Sequence, residues 1–213
     1  MKTVTDGTAP PSDRRSTRHE GTRSEIIAAA WGLVRENGLA GLAMRDLGER
    51  VGMRAQSIYS YFPSKLAIFD AMFREAYTTL SVALEAVGAD PVSEGREYAR
   101  VMSHRYFDFC VEDPVRFQLL FLRTIPDFVP SEESYAVAIR VYESMTSDLT
   151  RIGITDAGAA DLLTALLTGL ASQQIANDPG GDRWRRLVDR SIDMYLREVA
   201  PNPTITKTKR RRS

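Results

Sequence analysis

One short stretch of this chain, residues 42–65, holds side chains that are suited to binding a nucleic acid. Its sequence is LAMRDLGERVGMRAQSIYSYFPSK. Arginine, lysine and tyrosine donate hydrogen bonds to phosphate oxygens, while arginine, glutamine and serine also bond the edges of bases. The candidate phosphate donors are Arg45, Tyr59, Tyr61 and Lys65. The candidates for meeting base edges are Arg54, Ala55, Gln56 and Ser57.

Such side chains read the major groove of DNA only when two helices hold them rigidly at a steep angle. The spacing predicts a short helix over about 44–50, a tight turn at Gly52 and a second short helix over about 54–61. The side chains expected to pack inward are Leu47, Val51, Ile58 and Phe62, against Trp31 and Leu39. The pattern therefore predicts a helix-turn-helix whose second helix meets the bases.

In its order of residues, this segment resembles the DNA-binding domain of the tetracycline-repressor (TetR) family. The matching parts are Arg45-Asp46-Leu47, Gly52 and Ile58-Tyr59-Ser60-Tyr61-Phe62-Pro63-Ser64-Lys65. In that family the second short helix reads bases, and a Tyr-x-(His/Tyr)-Phe-Pro-x-Lys stretch contacts phosphates. The resemblance implies a double-stranded DNA operator as partner, with Tyr59, Tyr61 and Lys65 on phosphates. It also implies that Gln56 and Ser57 read bases.

Three positions depart from the family pattern. A serine or threonine usually caps each short helix, whereas this chain has Ala43 and Arg54 there. Gly48 stands where alanine is common, and glycine costs about 1 kcal/mol of helix propensity relative to alanine. Arg54 can replace the missing cap with a contact to phosphate or guanine, which would change specificity more than fold.

Beyond residue 65 the apolar residues recur at helical spacing and no strand pattern appears. We therefore predict an all-α protein of about nine helices. Order is expected to begin at Thr22, because Thr22 and Glu25 match a capping box. The expected parts are a flexible arm at 1–21, the helix-turn-helix domain at 22–65, a helical effector-binding and dimerisation domain at 66–200, and a flexible basic tail at 201–213.

The two C-terminal helices carry more apolar surface than one chain is expected to bury. The helix predicted over 156–177 is apolar on more than one face, and the helix over about 184–199 adds another stripe. In the TetR family the last two helices pair with their copies, so the resemblance implies a homodimer. The residues expected at its interface are Leu163, Leu167, Leu170, Leu187, Ser191 and Tyr195. The alternative is that both helices are internal to one chain.

Aromatic and methionine side chains are concentrated in the middle of the chain. The stretch over 106–121 resembles one branch of the family's regulatory domains, which implies a repressor that a small apolar effector releases from its operator. The residues expected to bind the effector are Met72, Met102, Tyr106, Phe109, Phe117, Phe121, Tyr142 and Met145. The candidate polar anchors are His104, Arg105, Gln173 and Gln174. The alternative, that the apolar side chains form only a core, stays open.

The formal net charge is zero, but the basic residues are concentrated in particular segments of the chain. Residues 14–65 carry nine Lys and Arg against five Asp and Glu, and the run KTKRRR follows at 207–212. A basic segment favours a polyanionic partner. The run at 207–212 could contact DNA phosphates but is more typical of a disordered, solvated tail. The competing function is a helical protein-interaction adaptor without sequence-specific DNA binding, against which the basic segment argues.

Nothing in the sequence favours catalysis or metal binding. There are two histidines, and neither Gly-x-Ser-x-Gly, His-Glu-x-x-His nor a phosphate-cradling glycine loop occurs. We expect no enzyme activity, no cofactor and no metal. The single Cys110 cannot form an internal disulfide, and is either an inert core residue or a redox sensor. Lacking a membrane-length apolar run and a signal sequence, the protein is expected to be cytoplasmic, with no membrane partner.

Overall fold

The protein is described by a computed structural model that covers residues 11–88 and 95–199. Over those residues it forms nine α-helices and no strand, which confirms the predicted all-α fold. The helices are α1 Pro11–Asn37, α2 Met44–Arg50, α3 Ala55–Ile58, α4 Lys65–Gly88, α5 Gly95–Glu112, α6 Pro114–Phe121, α7 Glu132–Arg151, α8 Ala159–Asn177 and α9 Val188–Val199. Short 3₁₀ helices at Leu39–Gly41 and Arg185–Leu187 lead toward α2 and into α9.

Helix α1 begins at Pro11, so the prediction that order begins at Thr22 is wrong. Proline suits the first turn of a helix, because its missing N–H would have no partner there. The Thr22 hydroxyl caps nothing: it donates to the carbonyl of Arg18, 3.1 Å away and one turn back in the same helix. Residues 1–10 of the expected arm, and the expected tail at 201–213, lie outside the described residues.

Two predicted helices are shorter than their apolar patterns. Helix α3 ends at Ile58, and residues 59–61 continue as turns in which the Ser60 hydroxyl donates to the Ser57 carbonyl, 2.7 Å away. Proline at position 63 disfavours the helical region for Phe62, so the helix cannot continue. Helix α9 begins at Val188 rather than near Trp184, after a 3₁₀ turn.

The described chain forms two compact units. The first runs to Thr78 and includes Val115–Val137, whereas the second comprises Thr79–Pro114 and the residues from Ala138 onward. The first unit therefore reaches past the boundary expected at residue 65. Its extra segment is held by Phe128, whose ring lies 6.1 Å from that of Phe69 and 6.2 Å from that of Phe73.

In the second unit, α5 packs against α8 and α9. Ion pairs join α5 to α9 and the turn before it, between Arg100 and Asp193 at 2.7 Å and between Asp108 and Arg185 at 2.7 Å. The hydrogen bond from Arg100 lowers the pKa of Asp193 below its usual value. Cys110 is buried in this unit. None of the described helices is both long enough and apolar enough to cross a membrane.

Candidate nucleic-acid-binding surface

The two short helices are held together by a fully buried apolar cluster. Leu47 and Ile58 have no exposed surface and Phe62 has 1%, while Trp31 and Leu39 are each 5% exposed. This is the inward packing that the spacing predicted for these five side chains. Val51, expected in the same cluster, is only half-buried.

Glycines set the geometry between α2 and α3. Gly52 has φ +67°, a left-handed conformation that glycine adopts without strain. Gly48 is needed for a different reason, because a Cβ there would lie 2.7 Å from the carbonyl oxygen of Met53 and 3.0 Å from the backbone nitrogen of Ala55. The Met53 N–H also donates to the Gly48 carbonyl, 2.8 Å away. Gly48 therefore permits a close backbone approach rather than merely weakening a helix.

Replacing Gly48 with alanine is expected to lower the free energy of unfolding by about 1 kcal/mol. A gain of up to about 1 kcal/mol in helix propensity is outweighed by about 1–3 kcal/mol of overpacking against backbone. Gly21→Ala is the matched control, since a Cβ at that helical glycine meets nothing within 4 Å and should stabilise. Equilibrium urea unfolding measures both variants, and equal stabilisation by the two would contradict this role of Gly48.

The candidate base readers lie on and just before α3. Arg54, Gln56 and Ser57 are exposed, whereas Ala55 is half-buried. No side-chain hydrogen bond caps α2 at Ala43 or α3 at Arg54, in keeping with the two departures from the family pattern. Within residues 11–88 and 95–199 no ion pair or hydrogen bond engages the Arg54 side chain. Its guanidinium is therefore available to a ligand.

The candidate phosphate donors differ in their surroundings. Tyr59 is 44% exposed. The Lys65 ammonium lies 3.5 Å from the carbonyl oxygen of Ala40 and 5.7 Å from the centre of the Phe69 ring, so it is partly engaged. The side chain of Arg45 is 82% exposed but is paired with Asp46 at 3.2 Å and Glu49 at 3.8 Å, which offsets its charge locally.

Tyr61 is half-buried, and its surroundings were missed by the sequence analysis. The ring of His19 stacks on the ring of Tyr61, with centroids 4.8 Å apart. The guanidinium of Arg23 donates to the Tyr61 carbonyl and stands 4.1 Å above the centre of the Phe62 ring. The i, i+4 spacing of His19 and Arg23 could have indicated that the two side chains share one face of a helix. It does so only if the helix begins before Thr22.

The eight candidate effector residues are divided between the two units. Met72, Phe117 and Phe121 belong to the first unit and the other five belong to the second. In the first unit the rings of Phe117 and Phe121 lie 5.4 Å apart. In the second, the Tyr142 hydroxyl donates to Asp161, 2.9 Å away, and this bond raises the pKa of Tyr142.

The effector set stays a prediction, with burial differing among its members. Met72 is fully buried, Phe117 is 3% exposed and Phe109 is 5% exposed, as core residues would be. Met102, Tyr106, Phe121, Tyr142 and Met145 are half-buried. Of the candidate anchors, Gln174 is already engaged: its side-chain amide donates to the Asp178 carbonyl and its oxygen accepts from the Trp184 N–H at 2.9 Å.

Three of the six expected dimer residues are buried within the single chain. Leu163, Leu167 and Tyr195 are 9%, 3% and 4% exposed, so they are core residues with little surface left for a partner. The Tyr195 hydroxyl donates to the Ala159 carbonyl 3.0 Å away, and burial raises the pKa of Tyr195 to about 12. Leu170, Leu187 and Ser191 are half-buried. The outward apolar residues of the two helices include Leu162 and Met194, 48% and 55% exposed.

These features define a helix-turn-helix protein: two short helices joined by a glycine turn, an exposed polar face on the second, and a larger helical region. Residues 26–72 match the sequence profile of the bacterial regulatory proteins of the tetR family. This match includes the helix-turn-helix and parts of the helices on either side of it, so the segment is similar to the DNA-binding domain of the TetR family, as the motif in residues 42–65 predicted.

A curated relative and two solved structures extend the comparison. The HTH-type transcriptional regulator EthR of Mycobacterium tuberculosis is 30% identical over 89 residues, 41% of this chain and 41% of its own length. The matched segment thus spans well under half of that relative.

Among solved structures, the TetR family transcriptional regulator PfmR from Thermus thermophilus has a TM-score of 0.61 at 22% identity, covering 81% of this chain and 97% of its own. The regulator FadR from Bacillus subtilis, solved in complex with stearoyl-CoA, has a TM-score of 0.63 at 16% identity, with the same coverage of both chains. At these identities the likeness shows the fold.

Proposed function

We propose that the protein is a homodimeric transcriptional repressor that binds a double-stranded DNA operator through α3 and is released from it by a small apolar effector. The observation that carries the proposal is the Arg54 guanidinium, which bonds no other residue in the described part of the chain and lies beside exposed Gln56 and Ser57, at the start of the helix that follows the turn at Gly52. A repressor of this kind acts in the cytoplasm, where the bacterial chromosome lies.

Tyr59 and Lys65 supply the test, because contacts to phosphates strengthen binding to every DNA sequence. The double variant Tyr59→Phe with Lys65→Ala is expected to weaken binding to all duplexes at least tenfold. Loss of the lysine contact should reduce the slope of log affinity against log salt by about 1. Gel-shift or fluorescence anisotropy titrations at several salt concentrations measure both quantities.

Gln56→Ala is the matched control on the same short segment. It should lower the preference for a selected operator over random DNA by about tenfold while leaving the salt slope unchanged, since a base contact releases no counterion. Unchanged affinity and slope in the Tyr59 and Lys65 variant would contradict the phosphate assignment. A wild-type chain that binds no DNA at low salt would favour the competing function, a protein-interaction adaptor.

The dimer is supported by the outward face of α8. Leu162, Leu166 and Leu170 recur there at helical spacing, and each retains exposed surface although the opposite face of the helix is buried. We call these three leucines the outer apolar face. A two-fold contact between two copies would cover it, because an isologous interface uses the same patch twice.

The effector is supported by the aromatic and methionine side chains that keep part of their surface. Pockets for apolar ligands are lined by such residues with a few polar groups among them. In the second unit the half-buried Tyr142 and Met145 supply one hydroxyl and one thioether on α7. A ligand would release DNA by favouring the dimer conformation whose two recognition helices miss successive major grooves, about 34–36 Å apart.

A further inference from the structure

The first half of α1 lies against the last turn of the helix-turn-helix. His19, on the exposed surface of α1, stacks its imidazole on the ring of Tyr61, with 27° between the planes. Arg23, one turn further along, holds the Tyr61 carbonyl by a hydrogen bond and covers Phe62. The backbone and the ring of Tyr61 are therefore each fixed by a different residue of α1.

Fixing an aromatic ring in advance matters for a side chain that must meet a phosphate. A tyrosine that is free to rotate loses side-chain freedom when it binds, and that loss weakens the complex. An offset-stacked partner removes the loss before DNA arrives, because the ring already occupies one rotamer. Arg23 is poorly suited to this task, since it bonds the main chain and leaves the ring free.

We propose that His19 is a positioning residue for DNA binding, which holds the ring of Tyr61 in the orientation that contacts the operator backbone. This inference rests on the proposed function. His19 acts through the face of its ring, so an aromatic residue without hydrogen-bonding nitrogens should replace it. The stacking depends on the length of α1. Because α1 begins at Pro11, His19 lies on the helix, which holds its ring against Tyr61.

The test compares three variants on a duplex that the wild-type protein selects from a random library. His19→Ala is expected to weaken binding about three- to tenfold, the fold-change that corresponds to ordering one otherwise free side chain on binding. His19→Phe should restore binding to within about twofold of wild type. Ser16→Ala, at an exposed position one turn earlier in α1, is the matched control and should bind as wild type.

Two further readouts separate positioning from other roles. In a Tyr61→Ala background, His19→Ala should have no additional effect, because the residue on which it acts is gone. The salt slope should be the same in wild type and His19→Ala, whereas a charged imidazole bound directly to phosphate would make the variant's slope shallower. Thermal unfolding should show that His19→Ala, like Ser16→Ala, is fully folded at the temperature of the binding measurement.

Each remaining result overturns the inference. Equal weakening by His19→Phe and His19→Ala would assign a direct contact to the imidazole nitrogens instead. Wild-type affinity in His19→Ala would show that the stacking has no part in binding, and in that case the proposed function stands. Failure of the wild-type chain to bind any duplex would remove the proposed function and this inference together.

Discussion

Replacing Asp70 with alanine is expected to lower the free energy of unfolding by about 3 kcal/mol. The Asp70 carboxylate, on α4, accepts three hydrogen bonds from the start of α7: from the Ser131 N–H at 2.7 Å, the Ser131 hydroxyl at 2.9 Å and the Ser134 hydroxyl at 2.8 Å. Ser134 has no exposed surface, so its hydroxyl would lose its acceptor where water cannot replace it. A buried polar group left in this way costs about 1–3 kcal/mol, and bonds to a charged acceptor are worth more than neutral ones.

Urea unfolding of Asp70→Ala, Ser134→Ala and the double variant measures this cluster. The double variant should be less destabilised than the sum of the two single changes, because removing the hydroxyl removes the unsatisfied group. Arg74→Ala is the control from the same pair of helices. Its guanidinium pairs with Glu133, which is 80% exposed, and an exposed pair contributes less than about 1 kcal/mol. Equal costs for Asp70→Ala and Arg74→Ala would contradict the role of the cluster.

The same cluster explains why the first unit extends beyond the boundary at residue 65. Ser131 also caps α7, since its hydroxyl accepts the N–H of Ser134 at 3.2 Å. One serine thus begins α7 and joins it to α4. Local sequence is enough to suggest such a cap, because serine is favoured immediately before a run at helical spacing. It could not indicate Asp70, because the partner lies 61 residues away and only the fold brings the two together.

The spacing of apolar residues predicted which segments form helices, whereas the capping residues were a poorer guide to where the helices begin. The apolar spacing over 44–50 gave the bounds of α2 without error. The capping box at Thr22 failed, because a threonine hydroxyl bonds equally well to the carbonyl one turn back when the helix continues through it. Gly48 was interpreted only as lowering the helix propensity of α2. Its role is to leave room for the Met53 carbonyl, and helix propensity carries no information about that contact.

The dimer residues illustrate what periodicity leaves undetermined. Helix α8 is apolar on two faces, so the sequence indicates that one face packs within its own chain and that the other is available to a partner such as a second copy. It does not indicate which is which. The structure buries Leu163 and Leu167 and leaves Leu162 outside, a rotation of about 100° around the helix axis. The apolar residues that α8 leaves at the surface include Leu162, Leu166 and Leu170, of which only Leu170 was among the residues predicted for the interface.

Leu162→Glu is accordingly expected to convert the proposed dimer to a monomer and to weaken operator binding at least a hundredfold. Leu162 lies on the outer apolar face and is 48% exposed in the single chain, so the folded monomer should tolerate a carboxylate there. In a two-fold interface each substitution appears twice, and two unpaired carboxylates would be taken out of water together. A monomer presents one recognition helix instead of two linked ones, and so loses the gain from binding both half-sites at once.

Val82→Glu is the matched control for this change. Val82 lies on α4, outside the outer apolar face, and is 60% exposed. Light scattering after size-exclusion chromatography should find Val82→Glu dimeric and Leu162→Glu monomeric, with similar helical circular dichroism. Leu162→Met should remain dimeric, since it conserves apolar volume. A dimeric Leu162→Glu would place the interface elsewhere, because two unpaired carboxylates buried in an isologous contact would strongly destabilise it.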